Sequence, residues 1–324
     1  MDGIEDSWFT FVWCLVEVVM GTKVVIEGDT LKKGEKVLII SNHRTRLDWM
    51  FLWGFFLREG RLRNLKIVLK QALKKYIPFG WPMQSANFIF LARDFEKDKS
   101  YIITALKYLG DLSYPCQLLL FPEGTDKTPT TTKRSDEFAK KENLKPLEYC
   151  IQPRITGFVF FLNLLKQFNL VDAVYDLTIG YQDTIPQNES AILSGFPKEC
   201  HVHVKRYDIS ELPDNDEEAG EWLRTKWYQK DERLKQFYID GKFPKTEREQ
   251  MFPEVKVIQK MIKMFCLWTL VTSFVIYLFW KSSIIFWWML ICWVALPIVS
   301  SSGGLDGIEI SYWGKKLASK KKAE

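Results

Sequence analysis

Short apolar runs alternate with helix-like stretches between residues 23 and 210. Runs rich in β-branched and other apolar residues predict strands at 36–41, 66–69, 88–92, 117–121, 174–181 and 201–207. The stretches between them predict helices near 48–58, 97–109, 134–142 and 158–167. This alternation is typical of an α/β fold, a mixed β-sheet flanked by helices on both faces.

The pattern changes after the last of these strands. Residues 214–240 predict a charged amphipathic helix with one apolar face, formed by Trp222, Leu223, Trp227, Leu234 and Phe237. Residues 241–260 are rich in Lys, Glu and Pro and are typical of a linker. Residues 23–240 are therefore assigned to one globular domain.

Two long apolar runs follow the linker, at 264–280 and 282–301, and Lys281 separates them. A helix needs about 20 residues to span the hydrocarbon core, with about 17 as the lower limit. Tryptophans near the segment ends and the lack of a polar face favour lipid over the alternative, a buried helical hairpin. We therefore predict a C-terminal transmembrane helical hairpin over residues 261–301.

Lysines flank this hairpin on both outer sides, at 256, 260 and 263 before it and at 315, 316 and 320–322 after it. The positive-inside rule then places the preceding domain and the basic tail, 302–324, in the cytosol. Lys321 and Lys322 resemble a dilysine retrieval signal, which predicts a multi-pass protein of the endoplasmic reticulum membrane. A basic tail that lies on anionic lipid is the alternative interpretation.

The N-terminal segment, residues 1–22, holds a third apolar run, Trp8–Met20. It is too short to span a bilayer and contains Glu17, so it predicts either an interfacial or a buried helix. The preceding MDGIED is acidic, unlike the basic start of a signal peptide.

Composition excludes several classes of protein. The formal net charge of +5 is small and no basic stripe is interleaved with aromatics, so we expect no nucleic-acid partner. Six cysteines lie scattered without a CxxC pair, which argues against a disulfide scaffold or a zinc module.

Polar clusters follow three of the predicted strands: NHRTRLD at 42–48, ARD at 92–94 and PEGTD at 122–126. Reactive groups collect beyond the carboxyl ends of strands in open α/β sheets. His43 suits a general base at neutral pH, and Asp48, five residues on, suits the carboxylate that fixes its tautomer. The spacing alone leaves open a simple polar loop.

The order of the motifs adds more than their spacing. NHRTRLDWMF, NFIFLAR ending at Arg93, FPEGTD and PRITGF at 153–158 follow one another, with LKKYIPFGWPMQ between the first two. This order resembles the glycerophospholipid acyltransferase family, which includes the 1-acylglycerol-3-phosphate acyltransferases, over roughly residues 20–240. The first and third motifs are most similar to its lysocardiolipin acyltransferase branch.

The resemblance implies a glycerolipid acyltransferase-like fold and a membrane-bound enzyme with acyl-CoA and a lysophospholipid as partners, besides the bilayer. His43 would take the proton of the acceptor hydroxyl, which attacks the acyl-CoA thioester, while Asp48 orients the ring. No covalent acyl-enzyme and no cofactor beyond the acyl-CoA co-substrate are expected, and no G-x-S-x-G nucleophile motif occurs.

The resemblance also implies the acceptor site. Arg93 matches the arginine that holds the acceptor phosphate, and Glu123, Gly124 and Thr125 match the block that shapes this site. Arg154 is a second basic candidate, although Ile155 stands where the family usually has a hydroxyl residue. Structural alternatives are ion pairing of Arg93 with Asp94 or Glu96, and a helix N-terminal role for Glu123.

Two hypotheses come from this chain itself. Arg44 and Arg46 flank His43 and could meet a second phosphate, as a lysocardiolipin acceptor would require. His201 and His203 alternate along one strand, so a metal-assisted lipid hydrolase that uses them with His43 is an alternative function. A catalytically silent membrane scaffold is another alternative to the acyltransferase function.

Overall fold

The computed structural model describes residues 2–76, 79–187, 195–246 and 252–321. Its strands are β1 Lys23–Gly28, β2 Val37–Ser41, β3 Leu65–Lys70, β4 Ile89–Leu91, β5 Gln117–Leu120, β6 Ala173–Tyr181 and β7 Glu199–Asp208. Its helices are α1 Asp2–Cys14, α2 Asp48–Glu59, α3 Gly80–Ser85, α4 Phe95–Asp111, α5 Pro129–Lys141, α6 Ile155–Gln167, α7 Asp216–Asp240, α8 Glu254–Lys281, α9 Ser283–Ser301 and α10 Gly304–Lys321. A π-helical turn, Leu15–Val19, continues α1, and 3-10 turns occur at Leu62–Asn64, Gln71–Lys75 and Ile209–Glu211.

The strands form one mixed sheet in the order β1-β7-β6-β2-β5-β3-β4. Strands β2, β3, β4, β5 and β6 pair parallel with one another. Strand β7 pairs antiparallel with β6 and parallel with β1. The parallel strands therefore bring their carboxyl ends to one edge of the sheet. The predicted fold class is confirmed, and every predicted strand is present.

Strand β1 is absent from the sequence prediction. Its side chains are half-buried or exposed, because it lies at the edge of the sheet and pairs only with β7. A short, half-exposed run such as KVVIEG carries a weak hydrophobic signal.

Helices cover both faces of the sheet. The alternating side chains of β2 enter two separate cores, Val37 and Ile39 on one face and Leu38 and Ile40 on the other. Helices α1 and α2 pack on the first face, and helices α4, α6 and α7 pack on the second. A strand buried on both faces is expected to be continuously apolar, as VLII is here.

The N-terminal segment takes the buried option of its two interpretations, and its helix begins at Asp2 rather than near Trp8. Phe9 and Trp13 are buried, and the ring centroid of Phe9 lies 4.7 Å from that of Trp53 in α2. Trp8 contacts Trp268 of α8 edge-on, with ring centroids 5.1 Å apart. Aromatic packing thus joins the N-terminal helix to both the domain and the first apolar helix.

Two helices of the described chain, α8 with 28 residues and α9 with 19, are long and apolar enough to cross a membrane. They meet at Ser282, whose hydroxyl accepts a hydrogen bond from the backbone N–H of Ile285. The predicted linker, 241–260, is too long at its C-terminal end, because α8 already begins at Glu254.

The predicted tail, 302–324, is helical over Gly304–Lys321 and packs on the domain. Asp306 is buried and binds the ammonium group of Lys74 at 2.7 Å. Tyr108 of α4 donates a hydrogen bond of 2.6 Å to Glu309. These contacts fix the helix to α4 and to the turn before α3, while Lys322 lies outside the described residues.

Candidate active site

The His43 and Asp48 side chains are in direct contact. His43 Nδ1 lies 2.9 Å from Asp48 Oδ2, and Asp48 is fully buried whereas the His43 side chain is 17% exposed. The backbone N–H of Thr45 donates to Asp48 Oδ2 at 2.9 Å, and the hydroxyl of Tyr181 donates to Oδ1 at 2.6 Å. With a proton on Nδ1 facing the carboxylate, Nε2 can accept a proton from a substrate.

Local structure explains why this pair forms. Asp48 is the first residue of α2, where the helix dipole favours a negative charge. Asn42 pairs through its side-chain amide with both backbone groups of Ile179 in β6, at 3.0 and 2.9 Å. The His43 carbonyl accepts a hydrogen bond of 2.8 Å from the N–H of Lys127. The loop is thus held on both sides of the base.

His43 lines a cavity of about 530 Å3 at the carboxyl edge of the sheet. Its basic lining residues include Arg46 and Arg93, which both lie near Asp126, and Arg154, which lies near Arg93. Most of the other lining residues are apolar, among them Trp49, Trp53, Leu73, Tyr76, Phe79 and Met83. A cavity lined by clustered arginines and by apolar side chains suits an amphipathic molecule that carries a negative charge.

Arg93 stands at the cavity in a left-handed backbone conformation, with φ of 69°. The buried Asp98 carboxylate holds this turn by accepting hydrogen bonds from three consecutive N–H groups, those of Ala92, Arg93 and Asp94, at 2.8 to 3.2 Å. Partial desolvation at the cavity, and then the nearby Arg154, lower the pKa of Arg93. Two guanidinium groups that repel each other favour an anion between them.

Gly124 is a position that requires glycine. Its φ is +70°, and a Cβ atom there would lie 2.9 Å from Nε of Arg154. The backbone N–H of Arg154 also donates to the carbonyl of Pro122 at 2.8 Å. The loop after β5 therefore packs directly against the arginine. Thr125 lines the same cavity, and its hydroxyl lies 3.4 Å from Asp126 Oδ1.

Arg46 and Arg44, which the sequence places together, separate in the structure. Arg46 lines the cavity, is 61% exposed, and has Nε 3.5 Å from Asp126 Oδ2. Arg44 lines a different groove with Lys127, and its Nη1 group donates a hydrogen bond of 3.4 Å to the Lys127 carbonyl. The chain bends at Thr45, between the two arginines, and Arg44 does not line the cavity at His43.

Glu123 also departs from the expected arrangement, because it is 2% exposed and lies beneath the cavity rather than in its lining. Its Oε1 accepts a hydrogen bond of 3.1 Å from the indole of Trp227 in α7. Burial raises the pKa of Glu123 to about 7, although His43, Trp227 and Lys230 nearby act in the opposite direction. Glu123 therefore supports the loop from below instead of contacting a ligand.

A buried charge pair continues this network. The ammonium group of Lys230, fully buried in α7, binds the Asp176 carboxylate of β6 and donates to the Leu177 carbonyl at 2.5 Å. Lys230 also lies 4.9 Å from the Trp227 ring centroid. An ion pair so far from water needs such additional partners, and here they join α7 to the sheet beneath the site.

The two remaining histidines do not face the cavity. His201 and His203 contact the rings of Phe237 and Phe243, with centroid separations of 5.2 and 5.7 Å. Burial lowers the pKa of His203 to about 4. Within the described residues, no group of three His, Cys, Asp or Glu side chains is arranged to hold a metal ion.

Tyr181 is the site residue that sequence reasoning missed. It ends β6, which runs parallel to β2, so its side chain reaches the same edge of the sheet as His43. The signal was its place at the end of an apolar run. Asp98 was missed as well, since the positive φ that it supports at Arg93 leaves no trace in the sequence.

Known proteins are similar to this chain in sequence. The family described as Acyltransferase matches residues 23–159, and the family described as Acyltransferase C-terminus matches residues 191–275. Lysocardiolipin acyltransferase 1 of Gallus gallus is 42% identical over 318 residues, which cover 96% of this chain and 84% of that protein. Lysophosphatidylinositol acyltransferase 10 of Caenorhabditis elegans is 35% identical, and the match covers 100% of this chain and 86% of that protein.

A solved structure, the 1-acyl-sn-glycerophosphate (LPA) acyltransferase PlsC from Thermotoga maritima, is similar with a TM-score of 0.44. It shares 18% identity, and the match covers 71% of this chain and 78% of that one.

The matched residues define a glycerolipid acyltransferase. The chain belongs to the glycerophospholipid acyltransferase family, which includes the 1-acylglycerol-3-phosphate and lysocardiolipin acyltransferases. The resemblance noted from the sequence motifs is confirmed.

Proposed function

We propose that this protein is a membrane-bound enzyme that transfers a fatty acyl group from acyl-CoA to the free hydroxyl of a lysophospholipid. The observation that carries the proposal is the placement of His43. The base, oriented by Asp48, lines a cavity whose walls combine clustered arginines with apolar side chains. The arginines would bind the phosphate of the acceptor, and the apolar side chains would contact its acyl chain.

The chemistry follows from the geometry of the base. His43 Nε2 takes the proton of the acceptor hydroxyl while the oxygen of that hydroxyl attacks the thioester carbonyl carbon. The tetrahedral oxyanion collapses, the carbon–sulfur bond breaks, and the imidazolium returns its proton to the CoA thiolate. General-base help supplies about 10²–10⁴-fold, and the remaining acceleration comes from positioning and from oxyanion stabilisation.

The acceptor phosphate would lie between Arg93 and Arg154, because planar guanidinium groups bind phosphate oxygens in pairs. Gly124 and Thr125 would shape this end of the cavity. Arg46, with a flexible and exposed side chain, would reach a second phosphate if the acceptor carries one. The names of the relatives support lysocardiolipin or lysophosphatidylinositol as acceptors, with lysophosphatidylglycerol and lysophosphatidate as other members of the class.

Membrane attachment would come from α8 and α9. Both outer ends of this hairpin contact the domain: Glu254 forms an ion pair of 2.6 Å with Arg58, and Ser300 accepts a hydrogen bond of 3.0 Å from Gln84. A hairpin whose two ends meet the same domain leaves that domain on one side of the bilayer. The lysine distribution favours the cytosolic side, and the dilysine resemblance favours the endoplasmic reticulum.

The test is CoA release by the purified full-length protein with acyl-CoA, with and without added lysophospholipid. We expect release that depends on the lysophospholipid, forms the acylated product in equal amount, and is insensitive to chelators. Equal CoA release without the lysophospholipid would indicate a hydrolase and contradict the proposal. Chelator-sensitive release of fatty acid would support the metal-assisted alternative.

A further inference from the structure

A second cavity, of about 320 Å3, lies at the domain end of α8 and shares no lining residue with the cavity at His43. Four basic side chains line it: Arg61 and Arg63 follow α2, and Lys256 and Lys260 lie on α8. Its size is at the lower end of the range for small-molecule sites. Such a volume suits a head group rather than an entire lipid.

The charge of this cavity is strongly unbalanced. Among the residues that the structure describes, Asp6 is the one acidic residue of its lining, and its carboxylate binds the ammonium group of Lys260 at 2.7 Å. Arg61, Arg63 and Lys256 have no carboxylate within 4.0 Å among the residues that the structure describes. Three cations that have no carboxylate partner in the described part of the chain therefore line one small concave surface, and a phosphate bound there would supply a counter-ion.

The cavity also lies at the boundary between the lipid head groups and the domain. Lys256 and Lys260 are four residues apart and so lie on the same side of α8. They precede Met264, where the uncharged run begins, by eight and four residues. At a rise of 1.5 Å per residue these positions lie about 12 and about 6 Å below the start of that run. The head-group region extends about 5–7.5 Å beyond the hydrocarbon core on each side, so Lys260 lies within it and Lys256 lies just below it, within reach of a lipid phosphate through its long side chain.

The inner wall of the cavity is apolar, formed by Leu57, Leu62, Phe252 and Val257. Cations at the mouth and apolar side chains behind them match the boundary between a phosphate and its glycerol backbone. Basic residues beside a membrane helix contribute about 1 kcal/mol each to the binding of anionic lipid.

We propose that this cavity binds the phosphate head group of an anionic membrane lipid, at a site separate from that of acyl transfer. The proposal rests on the membrane insertion of α8 and α9 proposed above. The bound lipid would hold the domain against the bilayer and fix the height of the cavity at His43 above it. The protein would then bind preferentially to membranes that carry anionic lipid.

The experiment uses the full-length protein in detergent and native mass spectrometry. The probes are dioctanoyl phosphatidylglycerol, dioctanoyl phosphatidylcholine and inorganic phosphate. We compare wild type with a variant that carries Arg61→Gln, Arg63→Gln, Lys256→Gln and Lys260→Gln. Wild type should retain one more phosphatidylglycerol molecule than the variant. The affinity of the variant's cavity for phosphatidylglycerol should be lower by about tenfold or more. Phosphatidylcholine binding should not change.

The matched control removes four charges from α5, by Lys133→Gln, Arg134→Gln, Lys140→Gln and Lys141→Gln, and should retain the wild-type number of lipids. Equal phosphatidylglycerol binding by wild type and the cavity variant would overturn the proposal. Displacement of the lipid by equimolar inorganic phosphate would identify a free-phosphate site and overturn the lipid assignment.

Photo-crosslinking keeps the test independent of the variant's folding. A diazirine-bearing phosphatidylglycerol on the wild-type protein should label peptides that contain residues 57–63 or 252–260. Labels confined to other peptides would contradict the site. Flotation of wild type with phosphatidylcholine vesicles tests membrane insertion separately, and acyl transfer by the same preparation tests the proposed function. Failure of lipid binding, of membrane insertion and of acyl transfer can therefore be told apart.

Discussion

Tyr181 donates a hydrogen bond of 2.6 Å to Oδ1 of Asp48, the carboxylate whose other oxygen faces His43. Both residues of this pair are buried, and they join the end of β6 to the start of α2. The orientation of the base thus depends on a strand that is distant in sequence. A hydrogen bond to a charged group contributes about 1.5–3 kcal/mol.

Tyr181→Phe removes this donor and leaves one lone pair of a buried carboxylate unsatisfied. We expect a lower melting temperature and a kcat reduced by about tenfold, which corresponds to about 1.4 kcal/mol in the barrier. Tyr175→Phe is the matched control, since Tyr175 lies on the same strand and donates to the Glu35 carboxylate at 2.7 Å, away from the site. It should lower stability without changing kcat. Equal kcat losses in both variants would contradict the positioning role.

Gly124→Ala adds a Cβ atom at positive φ and places it against Arg154. Left-handed backbone in a non-glycine residue costs about 1–2 kcal/mol. The contact should also displace the guanidinium, so we expect an increase of about tenfold in KM for the acceptor. Gly34→Ala is the control, because Gly34 also has a positive φ, of 85°, but no atom within 4 Å of an added Cβ. It should change stability alone. An unchanged KM in Gly124→Ala would contradict the packing argument.

The fold was predictable because its signals are local. The run VLII of β2 is apolar throughout, as expected of a strand buried on both faces, and His43 follows two residues after the end of β2. Parallel strands then bring the polar residues after β2, β4 and β5 to one edge, so sequence reasoning also places Arg93 and Gly124 near the base.

Side-chain direction was not predictable. Glu123 and Gly124 are neighbours, yet one points beneath the cavity to Trp227 and the other borders it. The partner in α7 is 104 residues away in the sequence. Arg44 and Arg46 likewise line different cavities, because the chain bends at Thr45 and turns at Arg46–Leu47 before α2 begins. Long-range contacts decide these directions, and a single sequence does not contain them.

Arg93→Gln and Arg46→Gln should affect acceptor binding in different ways. Arg93→Gln removes a cation that faces Arg154, so we expect KM to rise about tenfold or more for every lysophospholipid. Arg46→Gln should weaken acceptors with two phosphates more than those with one. Steady-state KM values for lysocardiolipin and lysophosphatidate measure both effects. Arg44→Gln, in the other groove, should leave this preference unchanged, and an unchanged preference in Arg46→Gln would contradict the second-phosphate role.

Glu123→Gln should change the pH dependence of stability. In the folded protein the pKa of Glu123 is about 7, above its ordinary value of 4.5. Between pH 4.5 and pH 7, Glu123 is therefore protonated in the folded state and ionised in the unfolded state. Wild-type stability should therefore fall as pH rises from about 4.5 to about 7, by at most about 3 kcal/mol. Melting temperatures of the two proteins across this range test it. Parallel curves would contradict the buried, protonated carboxyl.

The central claim is that His43 is the general base of acyl transfer from acyl-CoA to a lysophospholipid. The most direct measurement is product formation from one labelled acyl-CoA and a panel of lysophospholipids, with purified wild type and His43→Ala side by side. We predict a labelled phospholipid with wild type and a rate reduced by about 10²–10⁴-fold with His43→Ala. Full acyl transfer by a folded His43→Ala protein would contradict the claim.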